Sequence, residues 1–137
     1  MPKKKVAAKK SVEKNNTPLA GEYFVAAELY RRGFSIGMTI GNAKAIDLFA
    51  NKGSRTLSIQ VKAIKSKSSS GWPIMKAEVI DDIFYIFVNL NGKEKPDYFI
   101  ATGQEAREKV KQYEKRGVIQ LATLKNDTFY NCWEKLE

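Results

Sequence analysis

The run Ile83-Phe84-Tyr85-Ile86-Phe87-Val88-Asn89-Leu90 is apolar at nearly every position, and it restricts the available folds more than any other segment. A strand with one wet face alternates apolar and polar residues, whereas a strand covered on both faces is apolar almost throughout. The run therefore predicts a central strand in a sheet with a layer packed on each side. Its wholly apolar part, Ile83 to Val88, is far too short to cross a bilayer. The 137 residues suffice for one domain with one core.

The rest of the chain supplies those layers. Residues 1–17 are lysine-rich without a periodic apolar face and read as a flexible arm, leaving a single domain over 18–137. The arm resembles a nuclear-import or phosphate-binding tail, although short lysine runs more often serve only to solubilise. Thr17 as cap and Pro18 at the first helical position predict a helix to about Arg32, ended by Gly33. Strands over Phe34 to Ile40, Ala45 to Ala50 and Thr56 to Ile64 form a meander, with Gly41 and Asn42 in its first turn. Lys65 to Trp72 reads as a basic, serine-rich loop. Beyond the apolar run come a strand at Asp97 to Ala101 and a helix with a Thr102–Glu105 capping box. That helix turns Ala106, Val110 and Tyr113 to the core and ends at Gly117. An edge strand over Val118 to Leu124 follows. Phe129, Cys132, Trp133 and Leu136 then repeat at helical spacing, which makes Cys132 a packed thiol.

Histidine is absent and Cys132 is the only cysteine, so a Ser-His-Asp triad, a histidine or multi-cysteine zinc site and intramolecular disulfides are excluded. Catalysis by such a chain must use carboxylates, amides, lysine and a hard metal ion. The net charge of +9 favours a polyanionic partner through counterion release. No secretory signal precedes the domain, which predicts a cytoplasmic protein without a membrane partner.

Two positions break their local pattern. Glu22 falls on the same helical stripe as Val25, Ala26 and Leu29, while Glu28, Arg31 and Arg32 occupy the charged side. A buried carboxylate needs a partner or a metal, although a first-turn glutamate also suits the positive helix end and can reach solvent. Asp47 interrupts the apolar strand Ala45 to Ala50, where aspartate has poor strand propensity. In the next strand Ser58, Gln60 and Lys62 alternate with Leu57, Ile59 and Val61. Registers that pair Asp47 with Ser58 or Gln60 keep polar with polar, so the apolar pattern selects a face shared by Asp47, Gln60 and Lys62. Such a face can hold Mg²⁺ or Mn²⁺ through the Asp47 carboxylate, the Gln60 amide oxygen and the Val61 carbonyl, with Lys62 as a point charge beside a phosphate. It can also be a solvated surface where an acid and a lysine pair.

The series Gly21-Glu22, Gly33-Phe34, Ile46-Asp47-Leu48 and Gln60-Val61-Lys62 resembles the PD-(D/E)XK nuclease superfamily, particularly its branch similar to Holliday-junction resolvases. The resemblance spans about Pro18 to Ile64. It implies an α/β, restriction-endonuclease-like fold with a mixed central β-sheet flanked by helices. It also implies a Mg²⁺-dependent endonuclease acting on duplex or branched DNA, with Glu22, Asp47, Gln60 and Lys62 as the active-site set. Homodimers are common in that superfamily.

Two departures stand out. Gln60 occupies a position usually held by Glu or Asp, which lowers the formal ligand charge from −3 to −2, and the helix expected after the third strand is missing from the sequence pattern. Further along, Lys65, Lys67 and Ser68 are placed to grip a nucleic-acid backbone, and Trp72 either stacks on a base or anchors the loop to the core. Asp81 and Asp82 are weaker alternatives that suit a turn.

Overall fold

The apolar run forms strand β5 (Phe84–Asn89), whose last five residues are all buried. It lies between β3 (Arg55–Ile64), which runs parallel to it, and β6 (Asp97–Thr102), which runs antiparallel. Two further strands, β1 (Ser35–Met38) and β2 (Leu48–Lys52), complete a five-stranded sheet of order β1-β2-β3-β5-β6. This computed structural model describes residues 2–39 and 45–137. Ile40 and the expected turn at Gly41 and Asn42 lie outside the described residues.

Alternation along β3 sorts the protein into two cores. Leu57, Ile59 and Val61 join Val25 and Leu29 of helix α1 (Pro2–Arg31), with Leu48, Ala50, Ile86 and Val88, on one face of the sheet. Ile64 joins Tyr85, Phe87, Phe99 and the second layer on the other face. That layer holds helix α2 (Gly103–Lys109), the one-turn helix α3 (Leu121–Leu124) and a small sheet of order β4-β8-β7. Its strands are β4 (Gly71–Pro73), β7 (Lys111–Gln112) and β8 (Gly117–Gln120).

Several boundaries differ from expectation. Helix α1 passes through Pro18 instead of starting there, so proline sits in the helix interior, where it forgoes one backbone hydrogen bond. The segment expected to be a loop up to Trp72 ends in strand β4. The helix capped by Thr102 stops at Lys109, because Val110 turns to extended geometry and the chain forms the β7–β8 hairpin. Gly117 explains the switch: a Cβ there would lie 2.2 Å from the Ile74 carbonyl oxygen, so only glycine lets this hairpin dock. Tyr113 is therefore exposed on a turn rather than turned to the core. The last four periodic residues are all buried but not along one α-helix. Phe129 enters one core while Trp133 and Leu136, on a short 3-10 turn, enter the other.

The capping box forms as expected. Thr102 Oγ1 accepts the Glu105 amide hydrogen at 3.1 Å, and Glu105 Oε1 accepts that of Thr102 at 2.9 Å. Lys135 Nζ adds a contact of 2.9 Å to the same carboxylate. Burial pushes the Glu105 carboxyl up, but the Thr102 amide and the Lys135 ammonium outweigh it and hold it below the usual carboxylate range. A lowered folded value means that its stabilisation is complete above the ordinary glutamate range and is lost as pH falls through the lowered one. Replacing the cap by Thr102→Ala is expected to cost about 1 kcal/mol in urea unfolding at neutral pH.

Candidate active site at the edge of β3

Three polar side chains are buried among the described residues: Glu22, Asp47 and Asn89. Two of them are the carboxylates that break the sequence pattern, at 6% and 5% exposure. Desolvating a carboxylate costs several kcal/mol unless partners or a cation compensate it, so both positions answer to more than packing.

The β2–β3 register explains how Asp47 is placed. Leu48 faces Ile59 and Phe49 faces Ser58, so the next step puts Asp47 opposite Gln60. At that step the ladder gives way. The Asp47 amide donates to the Ile59 carbonyl at 2.9 Å, and Asp47 Oδ2 accepts the Val61 amide hydrogen at 2.8 Å. A side chain thus takes over from the strand ladder in the middle of Gln60-Val61-Lys62. Beyond Gln60, β3 is paired with β5 on one side, while β2 ends its pairing at Ile59 on the other.

Helix α1 reaches the same stretch from the opposite layer. A Cβ on Gly21 would come within 2.6 Å of Ala63 Cβ and 3.5 Å of Val61 Cγ1, so glycine permits the closest approach of helix to strand. Glu22 is the next residue and is buried there. Gln60 and Lys62 leave β3 on the face away from α1, both half-buried. The helix carboxylate and the strand side chains therefore flank residues 61–63 from opposite faces of the sheet.

Strand β5 supplies a wall that the sequence does not link to this site. Tyr85 stands beside Gln60 and Phe87 beside Lys62, both fully buried. Burial pushes the Tyr85 phenol up, so it stays neutral, and its oxygen accepts the Ile80 amide hydrogen at 2.9 Å. Parallel pairing between strands so far apart in sequence leaves no local signal, which is why these neighbours escape a sequence reading. Among the described residues no three Asp, Glu, His or Cys side chains gather to hold a metal ion. A cation at this edge would rest on Glu22, Asp47 and neutral oxygens, the Gln60 amide and the Val61 carbonyl. That all-oxygen set fits a hard divalent ion that keeps several waters.

The more distant candidates divide. Lys65, Lys67 and Ser68 are exposed just past the end of β3, where the Lys65 carbonyl accepts the Gly92 amide hydrogen at 2.8 Å. Asp81 pairs with Arg107 at 2.8 Å, and Asp82 sits in the same exposed turn. Trp72 is a correction. Its ring is fully buried between Phe87 and Phe99, with Nε1 donating to the Val88 carbonyl at 3.0 Å, so it cannot stack on a base. It anchors the small sheet to the large one.

Solved structures with a similar fold include two nucleases. One is Hjc, a Holliday junction resolvase from the archaeal hyperthermophile Archaeoglobus fulgidus, with a TM-score of 0.54 and 15% identity over 77% of this chain and 90% of that one. The other is the bacterial homing endonuclease I-Ssp6803I, with a TM-score of 0.61 and 12% identity over 89% of this chain and 91% of that one. The fold is restriction-endonuclease-like. At these identities the likeness concerns the restriction-endonuclease-like fold alone. No protein-family model matches the chain, and no curated protein matches it in sequence. Among the described residues no helix is long and apolar enough to cross a membrane.

Proposed function

We propose that this chain is a metal-dependent endonuclease that hydrolyses phosphodiester bonds of DNA, duplex or branched, in the cytoplasm. The observation that carries the reading is the buried Asp47 carboxylate, hydrogen-bonded to the Val61 amide in the middle of Gln60-Val61-Lys62. Glu22, Asp47 and Gln60, with the Val61 carbonyl, hold Mg²⁺ or Mn²⁺, and Lys62 is the electrostatic catalyst. A divalent ion so held supplies Lewis-acid polarisation of the phosphoryl group without any histidine. The Val61 amide fixes one carboxylate oxygen of Asp47, which spares the site part of the ordering cost of binding. Lys62, paired in register with Phe87, supplies a positive charge to counter the charge growing at the phosphate oxygens. Lys65, Lys67 and Ser68 grip the backbone nearby.

Nicking of supercoiled plasmid tests this directly. Cleavage should appear with Mg²⁺ or Mn²⁺ and vanish in EDTA; a folded protein that leaves every DNA form intact across divalent ions would sink the reading. Gln60 favours one rival, a domain on the same scaffold that binds nucleic acid without cutting it, because an amide is a weaker ligand than a carboxylate. Salt-sensitive binding without nicking would support that rival. Gln60→Glu separates them further, since restoring the ligand charge to −3 should tighten Mn²⁺ binding by about tenfold in calorimetry. Unchanged affinity would remove Gln60 from the ligand set.

A further inference from the structure

The second layer covers only part of its face of the sheet. Its core takes Ile64 from β3 and a run of residues from β5 and β6, but no member from β1 or β2. Among the described residues, the second layer therefore leaves the corresponding face of the β1–β2–β3 meander uncovered. Register places Gly37, Phe49 and Ser58 side by side in one row across it, and Ser35, Asn51 and Thr56 in the next. Asn51 and Thr56 hydrogen-bond each other at 2.7 Å. These residues are small or polar and uncharged, with Phe49 as the exception.

Phe49 is 38% exposed, and it is the one exposed large apolar side chain among the described residues that stands on a strand of the main sheet. Its neighbours leave room beside the ring. Gly37 has no side chain, and a Cβ built there meets nothing within 4 Å. A single exposed aromatic is ordinary on a protein surface. What distinguishes this one is position, because Phe49 lies two residues after Asp47, which immediately precedes β2, roughly 7 Å away. Gln60, two residues from the Ser58 that faces Phe49, marks the same direction along β3. A flat apolar ring thus borders the proposed catalytic edge on an open, uncharged surface.

A paired duplex presents phosphates and sugars to such a surface, whereas an unpaired nucleotide presents the face of its base. Stacking on an aromatic ring is tolerant of base identity and is worth about 5- to 150-fold in affinity per base. We infer that Phe49 is a base-stacking platform beside the scissile phosphate, so that the favoured substrate carries an unpaired nucleobase next to the cut. This inference rests on the proposed nuclease reading and names its substrate class.

The test compares oligonucleotide duplexes carrying one unpaired nucleotide, moved stepwise along one strand, with the same duplexes carrying an abasic residue at that position. Both have the same phosphate charge, and only the first offers a base to stack. Binding is read by fluorescence anisotropy in EDTA at low salt, so that no cleavage intervenes. The full chain should prefer the base over the abasic form by about tenfold. Phe49→Ala should erase that preference, Phe49→Trp should keep it, and Phe49→Leu should resemble alanine. Equal binding of base and abasic duplexes by the unaltered chain, or full retention by leucine, would overturn the stacking role and leave the nuclease reading standing. Absence of binding to any of these duplexes would also overturn the stacking role, and plasmid nicking with divalent ions decides the nuclease reading separately. Phe49 is exposed, so its variants fold, and circular dichroism verifies that each one has.

Discussion

Asp47→Asn and Lys62→Ala are each expected to lower DNA cleavage by about 10²- to 10³-fold while the protein stays folded, the range seen when one electrostatic contributor to a transition state is removed. Asparagine is the informative choice at position 47. Its side-chain oxygen can still accept the Val61 amide hydrogen, yet it removes the negative charge a cation requires. Asp47→Ala would also strand a buried N–H at a cost of about 1–3 kcal/mol, confounding chemistry with stability. For Lys62, binding to DNA should fall only modestly beside the loss of rate, because one ammonium among many basic groups contributes little to overall affinity. Single-turnover cleavage measured beside urea unfolding separates these effects. Undiminished cleavage by both variants would remove the edge of β3 from the chemistry.

The second large effect concerns Trp72. Trp72→Ala should destabilise the protein by about 3–5 kcal/mol, since it empties a fully buried ring site and leaves the Val88 carbonyl without its indole donor. That is a large part of the roughly 5–15 kcal/mol that holds an ordinary domain together. DNA affinity of the molecules that remain folded should change less than twofold. A stable Trp72→Ala protein with impaired binding would instead return this residue to the nucleic-acid surface. Thermal unfolding with parallel anisotropy titrations distinguishes the outcomes.

Much of this architecture is readable from local pattern, and the failures have physical causes. The β5 run announces burial on both faces because no polar residue punctuates it until Asn89. Polar alternation in β3 narrows the register, and the pairing of Leu48 with Ile59 carries Asp47 to Gln60, one of the two expected partners. The Thr102–Glu105 capping box is local chemistry and forms as read. What escapes is whatever depends on distant packing. Val110 and Tyr113 fit a helical period, but Gly117 docks against Ile74 and bends that segment into a hairpin. Trp72 sits in a serine- and lysine-rich stretch that looks like a surface loop, and only the aromatic cavity between Phe87 and Phe99 draws it inward. Glu22 left two readings open at the level of sequence; the near-contact of Gly21 with Ala63 is what buries it.

The hydrogen bond from the Val61 amide to the Asp47 carboxylate turns one peptide proton into a built-in observer of its acceptor. Its resonance in a ¹⁵N-labelled sample should move when the acceptor's charge is shared with a cation, and should respond little to ions that bind elsewhere. Titrating Mg²⁺ or Mn²⁺ analogues against that single cross-peak would then follow occupancy without DNA, turnover or an added reporter group.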